Sequence, residues 1–245
     1  MVSVSWLAVI LLALAGLSLL AWSVRALDVA GAVAAFVLGL LVALVAGIGW
    51  LVLMTSFTLI SVAATRLGVQ RKRRHGAAEA RGGERGLRNV LANGLAPTLA
   101  ALAVLFLEPG AARLAFVAAV AAVTADTLAS EIGALAPRAR SIVPPFVAMQ
   151  PGQNGGVSWL GQGAAAMGAT VIALLAVPLT GLPLGVVAVP AVAGWLGCQL
   201  DSLLGATLER DAIHDRPLSK EDVNFLASAV PAFLVLLVAH LVLSA

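Results

Sequence analysis

Long runs of apolar residues, separated by short polar or Gly/Pro-containing stretches, follow one another along the whole chain. A helix needs about 20 mostly apolar residues to cross the hydrocarbon core of a bilayer. The pattern therefore predicts an all-α fold, a polytopic transmembrane helix bundle of about eight spans. The predicted helices are 4–22, 27–46, 49–66, 88–107, 111–135, 157–178, 184–208 and 222–243. Because residues 28–66 are too long for a single span, we expect a turn near Gly47 and Gly49.

Composition supports a membrane protein and excludes a soluble enzyme. The 245 residues are 61% hydrophobic and only 11% charged, with a mean hydropathy of +1.02, whereas a soluble domain has roughly 25% charged residues. Residues 1–25 are interpreted as an extra N-terminal span, since no basic leader precedes the apolar run. We expect a single integral membrane domain over residues 1–245, in a prokaryotic cytoplasmic membrane, with no nucleic-acid partner. The sequence allows a homodimer.

The basic residues predict the topology. Lys and Arg accumulate in cytoplasmic loops, and eight spans place 14 of the 15 Lys and Arg residues on one side, with Arg113 alone on the other. This distribution predicts an N-out, C-out protein. Its longer connections, a basic loop at 67–87 and site loops at 136–156 and 209–221, then face the cytoplasm.

Two acidic residues interrupt the fifth predicted helix, in the stretch TADTLASEIG at 124–133. A carboxylate at the centre of a bilayer costs roughly 2.5–3.5 kcal/mol on insertion scales, and such residues mark functional sites by default. Asp126 and Glu131 lie about 140° apart around the helix, so they can bracket one pocket within the bundle. The structural alternative is a pair of carboxylates that partner helices hold for packing.

A second acidic stretch, DSLLGATLE at 201–209, brings Asp201 to a depth similar to that of Asp126. Ser202 and Glu209 lie seven residues apart and share a helix face. Mg²⁺ uses one or two carboxylates together with substrate phosphates. We therefore expect Asp126, Glu131, Asp201 and Glu209 to bind Mg²⁺. A structural hydrogen-bond cluster is the alternative.

The stretch PGQNGGVSWLG at 151–161 leads into the sixth predicted helix. Glycines allow successive backbone N–H groups to face one point, and a helix N-terminus adds a positive dipole end. An ordinary turn is the alternative for such a stretch. The candidate phosphate-binding residues are Gly152, Gln153, Asn154, Gly155, Gly156 and Ser158, with Ser202 from the next helix.

Two further stretches carry polar residues at helix starts. RGLRNVLANG at 85–94 places Arg85, Asn89 and Asn93 one turn apart on a face, with Arg88 beside them. These four residues suit a phosphorylated ligand, although arginines also serve as interfacial anchors.

The last helix has a capping-box pattern at Ser219 and Asp222. That pattern does not explain Asn224, which we add to the candidate binding residues.

These four motifs, TADTLASEIG, PGQNGGVSWLG, DSLLGATLE and LSKEDVNFLAS, together resemble the integral membrane family called domain of unknown function ninety-two. RNVLANG at 88–94 also looks like the family's pattern, and the resemblance covers roughly residues 26–244. The family includes plastid phytyl-phosphate kinases and animal transmembrane protein nineteen. The resemblance implies phosphorylation of a polyprenyl monophosphate to the diphosphate. The distant phytol and dolichol kinases tend to use CTP, so CTP is the favoured nucleoside triphosphate.

The expected activity is thus a membrane-embedded kinase, with Mg²⁺ as cofactor and an isoprenoid lipid phosphate and membrane lipid as partners. Asp126, Glu131 and Asp201 are the expected catalytic residues. Three alternatives remain, one of which is a non-catalytic lipid-binding protein. A cytidylyltransferase acting on a lipid phosphate would use the same metal, nucleotide and lipid. An ion-coupled transporter would also need intramembrane acids, although the polar groups here cluster on one side.

Overall fold

The computed structural model describes residues 4–74, 83–210 and 215–244. Within these ranges the chain forms nine α-helices and a small three-stranded sheet. The helices are α1 (Val4–Ser23), α2 (Val29–Val45), α3 (Ile48–Arg66), α4 (Val69–Arg74), α5 (Leu87–Leu102), α6 (Pro109–Gly133), α7 (Trp159–Thr180), α8 (Ala188–Thr207) and α9 (Lys220–Leu243). Short 3₁₀ turns follow α5 and precede α8 at Ala103–Leu105 and Leu184–Val186.

The predicted polytopic helical bundle is confirmed. In the described part of the chain, seven helical segments are long and apolar enough to span a membrane, and α2 is an apolar helix of 17 residues. The predicted turn between α2 and α3 also exists, because α2 ends at Val45 and α3 begins at Ile48. The capping box at the start of α9 is present with both of its hydrogen bonds, between Ser219 and Asp222.

Helix α6 is the centre of the bundle and packs against α3, α5, α7, α8 and α9. Every residue from Ala115 to Ala125 is at most 2% exposed. The alanines in this stretch let neighbouring backbones approach closely, which is how membrane helices gain packing energy. At Gly194 of α8, for example, an added Cβ would lie 2.5 Å from the Cβ of Ala121.

At each end of the bundle, a side-chain hydrogen bond connects two neighbouring segments. At one end Arg113 Nη1 of α6 donates to the carbonyl of Gly181, after α7 (2.7 Å). At the other, Arg66 Nη2 donates to the carbonyl of Val24, after α1 (3.1 Å). The second end also carries α4, the sheet and the α8–α9 connection, and we call it the loop end. The long helices therefore alternate in direction through the bundle.

The helix α4 was not predicted. Its sequence, VQRKRR, has no apolar stripe, and hydropathy identified only a polar loop there. Lys72 explains why this turn is fixed: its side chain is 1% exposed, and its Nζ donates to the carbonyls of Ala64 and Thr65 at the end of α3 (2.9 and 3.1 Å). The basic residue binds the carbonyl end of a helix, where a cation is favoured.

The sheet lies within the predicted site loop 136–156 and at its end. The central strand β1 (Ala139–Ser141) pairs antiparallel with β2 (Ala148–Met149) and with β3 (Gly156–Val157). Strands of two or three residues are too short to show an alternating pattern in a sequence. The sheet holds the glycine-rich stretch against the helices.

His75 of the basic loop and Asp211 and His214 of the 209–221 loop lie outside the described residues.

Candidate functional site

A cavity of about 350 Å³ opens at the loop end, between α6, α7, α8, the start of α9 and the glycine-rich loop 151–158. Its wall contains most of the candidate residues, which come from four separate parts of the sequence. The predicted residues that line it are Asp126, Glu131, Gly152, Gln153, Asn154, Gly155, Gly156, Ser158, Asp201, Ser202, Glu209 and Asn224. We call it the acidic cavity.

Asp126 of α6 and Asp201 of α8 meet in this cavity, where their carboxyl groups form a side-chain hydrogen bond. With its amide nitrogen turned towards α8, Asn224 of α9 donates to Asp201 Oδ2 (3.2 Å). Lys220, one helical turn before Asn224, also lines the cavity. Two carboxyl groups this close need a shared proton or a cation between them, so the pair is a natural place for a positive ion.

Glu209 lies just beyond the end of α8, and its side chain is 7% exposed. Its Oε1 accepts a hydrogen bond from Asn154 Nδ2 (2.6 Å), which links the glycine-rich loop to α8. Burial raises the pKa of Glu209 above its ordinary value. The charges of Asp126 and Glu221 act in the same direction, while Lys220 and the Asn154 hydrogen bond partly oppose them.

The glycine-rich loop is shaped by contacts that leave little room for side chains. Gly155 has a φ of +73°, and an added Cβ would lie 2.4 Å from the Cβ and 2.8 Å from the Cα of Ala206 on α8. Behind the loop, Ser158 caps α7 by accepting a hydrogen bond from Gly161 N (3.1 Å). The positive end of the α7 dipole therefore lies at the cavity wall, an arrangement that favours an anion.

We predict that Gly155→Ala displaces this loop. The alanine would have to adopt a left-handed backbone conformation, at a cost of about 1–3 kcal/mol, and its Cβ would collide with α8. Because a displacement of about 1 Å can cost about 100-fold in rate, we expect catalytic turnover to fall at least about tenfold.

Enzyme assays and thermal unfolding in detergent measure both effects. The matched control is Gly163→Ala, since an added Cβ at Gly163 meets no atom within 4 Å. If Gly155→Ala kept both its catalytic turnover and its unfolding midpoint, the position of the glycine-rich loop would not matter for turnover.

Glu131 lines the acidic cavity, but both of its carboxylate oxygens have partners. Oε1 accepts a hydrogen bond from Thr65 Oγ1 (2.6 Å), and Oε2 forms a buried ion pair with Lys72 Nζ. The pair joins α6 to α3 and α4. Its assignment as a metal ligand stays a prediction.

The RGLRNVLANG motif at 85–94, which we call the α5 motif, lies outside the acidic cavity. Its residues Arg85, Asn89 and Asn93 line another cavity, of about 370 Å³, between α1, α2, α3 and α5. We call it the second cavity. The two cavities share no lining residue. Arg88 is exposed at the start of α5, where its charge acts on Asp222.

Two polar residues that line the acidic cavity and could contact a ligand, Lys220 and Gln162, were missed by the sequence candidates. Lys220 and Asn224 are four residues apart on one face of α9, so the polar Asn224 gave a signal for its neighbour. Gln162 follows Ser158 by four residues on α7, and its Oε1 accepts hydrogen bonds from Trp195 Nε1 (3.1 Å) and Gln199 Nε2 (2.9 Å). A glutamine inside a membrane helix was the missed signal.

The donor set suits Mg²⁺ when the substrate supplies further ligands. The cavity offers carboxylate and amide oxygens, which are the hard ligands that Mg²⁺ prefers. Among the residues that the structure describes, no group of three or more His, Cys, Asp or Glu side chains is arranged to hold a metal. Because Mg²⁺ usually takes only one or two carboxylates and completes its shell with phosphates and water, the Asp126–Asp201 pair fits this mode.

A family model described as integral membrane protein DUF92 matches residues 12–232, most of the chain. This protein belongs to the DUF92 family. The match includes the acidic cavity, the glycine-rich loop and the second cavity, so all three lie within the family's domain.

Relatives in the DUF92 family come from distant organisms. An uncharacterised membrane protein of the archaeon Methanocaldococcus jannaschii is 31% identical over 214 residues, 87% of this chain and 86% of the relative. One from the cyanobacterium Synechocystis is 31% identical over 180 residues, 71% of this chain and 69% of that protein. Protein VTE6, chloroplastic, of Arabidopsis thaliana is 27% identical over 225 residues, 90% and 67% of the two chains. No solved structure matches the chain significantly.

Proposed function

We propose that this protein is a membrane-embedded kinase that transfers a phosphoryl group from a nucleoside triphosphate to a polyprenyl or phytyl-type monophosphate. The observation that carries this proposal is the meeting of Asp126, Asp201, the glycine-rich loop and Lys220 in one cavity at the loop end of the bundle. Phosphoryl transfer needs chiefly positioning and neutralisation of charge. This cavity combines carboxylates for a cation with the N-terminus of α7 and a lysine for phosphates.

The family relationship supports the same reaction. The sequence motifs resemble a family that includes plastid phytyl-phosphate kinases, and a chloroplast protein of Arabidopsis is among the relatives. CTP is the proposed donor on that resemblance. The phosphates of the nucleotide would lie against the glycine-rich loop, and the phosphate of the lipid would reach the cavity from the bilayer. Gln162 and Lys220 would donate further hydrogen bonds to these phosphates.

In the proposed step, an ionised oxygen of the lipid monophosphate forms a bond to the γ-phosphorus of the donor. The bond between that phosphorus and its bridging oxygen breaks, and the nucleoside diphosphate leaves. Because the attacking oxygen carries no proton, the step needs no general base. Mg²⁺, held by Asp126 and Asp201, would neutralise charge on the transferred phosphoryl group.

The core of the bundle favours an enzyme over a transporter. Beyond the cavity, residues 115–123 of α6 are apolar and at most 2% exposed. A transporter would need a route for its substrate through this packed region. The acidic cavity is instead open at one end, as an enzyme requires when its soluble substrate arrives from one side.

The test is turnover in detergent with phytyl or geranylgeranyl monophosphate, Mg²⁺ and each of CTP, ATP, GTP and UTP. Mass spectrometry should detect the lipid diphosphate and an equal amount of nucleoside diphosphate. Release of pyrophosphate with a nucleotide-linked lipid would replace the kinase by a cytidylyltransferase. A protein that makes neither product but moves a solute across sealed vesicles would overturn the enzymatic assignment.

A further inference from the structure

The second cavity contains the α5 motif, which the proposed reaction does not use. It runs along α3 from Leu51 to Arg66, and this stretch of helix is about 22 Å long at 1.5 Å per residue. The cavity is therefore longer than one half of the hydrocarbon core of a bilayer, which is about 30 Å thick in all. The acidic residues of the first cavity are absent from its wall.

The second cavity is apolar along its length and polar at one end. Leucines from α1, α2 and α3, among them Leu14, Leu38 and Leu51, line the part away from the loop end. Arg66, Arg85 and Asn89 line the part at the loop end. An apolar passage with two guanidinium groups at its mouth is complementary to an anionic amphiphile in both shape and charge.

The mouth is fixed by hydrogen bonds within the protein. Arg66 Nη2 donates to the carbonyl of Val24 (3.1 Å). The backbone of Arg85 is held on both sides, because its N–H donates to the Ala26 carbonyl and its carbonyl accepts from Asp28 N–H (3.0 Å each). Both arginines are thus attached to the α1–α2 connection, so the mouth is built before any ligand arrives.

We propose that the second cavity binds a membrane phospholipid with an anionic phosphate head group. Its phosphate contacts Arg66 and Arg85, and an acyl chain lies along α3 between α1 and α5. Basic pockets between membrane helices bind such head groups. A membrane phospholipid fits better than the acceptor isoprenoid phosphate, since a phosphate at this mouth is separated from the Asp126–Asp201 pair, which lines the other cavity.

A bound lipid would also add contacts to α1. This helix packs chiefly against α2, and many of its side chains, such as Leu12 at 73% exposed, face outwards. A lipid chain in the second cavity would fill the space between α1 and α3. The lipid is a bound component here and undergoes no reaction.

The test is native mass spectrometry of the delipidated full-length protein, titrated with phosphatidylglycerol and with the zwitterionic phosphatidylcholine. We expect phosphatidylglycerol to bind at least about tenfold more tightly, because each arginine near the head group contributes on the order of 1 kcal/mol. The double variant Arg66→Gln/Arg85→Gln should lose this preference. Arg71→Gln, which removes an exposed charge of α4 outside the cavity, should keep it.

A second variant tests the apolar part without touching the arginines. Ala63 lines the cavity on α3, and Ala63→Phe should reduce binding of both lipids while gel filtration shows an intact protein. Equal affinity for the two lipids, or an unchanged preference in the double variant, would overturn the proposal. So would binding of phytyl monophosphate in preference to phosphatidylglycerol that is lost in the double variant, which would assign the cavity to the acceptor. Turnover by the Asp126–Asp201 site is measured separately and does not depend on this result.

Discussion

Replacing Asp201 by asparagine is expected to reduce kinase turnover at least about 100-fold and to leave the protein folded. Asparagine keeps the size of the side chain and its hydrogen-bonding capacity towards Asn224 and Asp126. What it removes is the negative charge that would hold a cation against the phosphates. Loss of a comparable electrostatic contact to a transition state costs about 10²–10³ in rate, and Asp126→Asn should behave in the same way.

The measurement is the rate of lipid diphosphate formation at saturating lipid and nucleotide, with thermal unfolding in detergent as the check on folding. Unfolding should occur at the same or a higher temperature, since the asparagine keeps the hydrogen bonds and needs no shared proton or cation beside Asp126. The double variant Asp126→Asn/Asp201→Asn should be no slower than either single variant, because residues that act as a unit are not additive.

Asp215→Asn is the matched control for this series. Asp215 lies at the same end of the bundle, is exposed and forms a surface ion pair with Arg210 (3.1 Å). Its replacement should leave the rate unchanged. If Asp126→Asn and Asp201→Asn both retained near-normal turnover, the pair would be structural. The carboxylates would then be held for packing alone, which is the structural alternative that the sequence leaves open.

Replacing Lys72 by methionine is expected to lower the free energy of unfolding by about 3–5 kcal/mol. The Lys72 ammonium is 1% exposed and has three partners: the Glu131 carboxylate and two carbonyls at the end of α3. Methionine fills similar space but leaves the Glu131 charge without its cation inside the protein. Such a change is costly because the remaining charge is desolvated and unpaired.

Thermal and denaturant-induced unfolding in detergent measure this effect. Arg71→Met, on the same short helix but exposed, should change stability by less than about 0.5 kcal/mol. In the double variant Lys72→Met/Glu131→Leu most of the stability should return, because two apolar side chains can replace a buried pair at little cost. A single variant as stable as the wild type would show that the ion pair does not hold α4 and α6 together.

The double variant also separates two roles of Glu131. The side chain lines the acidic cavity while both of its oxygens bind Thr65 and Lys72. If the stable double variant keeps its turnover, Glu131 serves the fold alone. If it is stable but inactive, Glu131 takes part in the reaction, as the sequence predicts.

The sequence by itself determined the membrane class, the helical spans and most of the acidic cavity. Spans are readable because lipid requires about 20 consecutive apolar residues in a helix, so each one is a local property of the chain. The acids were readable for the same reason: Asp126 and Asp201 are exceptions within apolar segments, and such exceptions need a partner or a function. The capping box before α9 was another local pattern, with both of its bonds present in the structure.

Only the tertiary structure decided which polar residues meet. Nothing local distinguishes Arg85 and Asn89, which line the second cavity, from Gln162 and Lys220, which line the acidic one. The same holds for Lys72 and Glu131, which are far apart in sequence and pair only because α3, α4 and α6 meet at the loop end. Hydropathy fixes the depth of a residue along its helix, but the neighbours it faces depend on how the helices are arranged and rotated around α6, and that is set by the packing of the whole bundle.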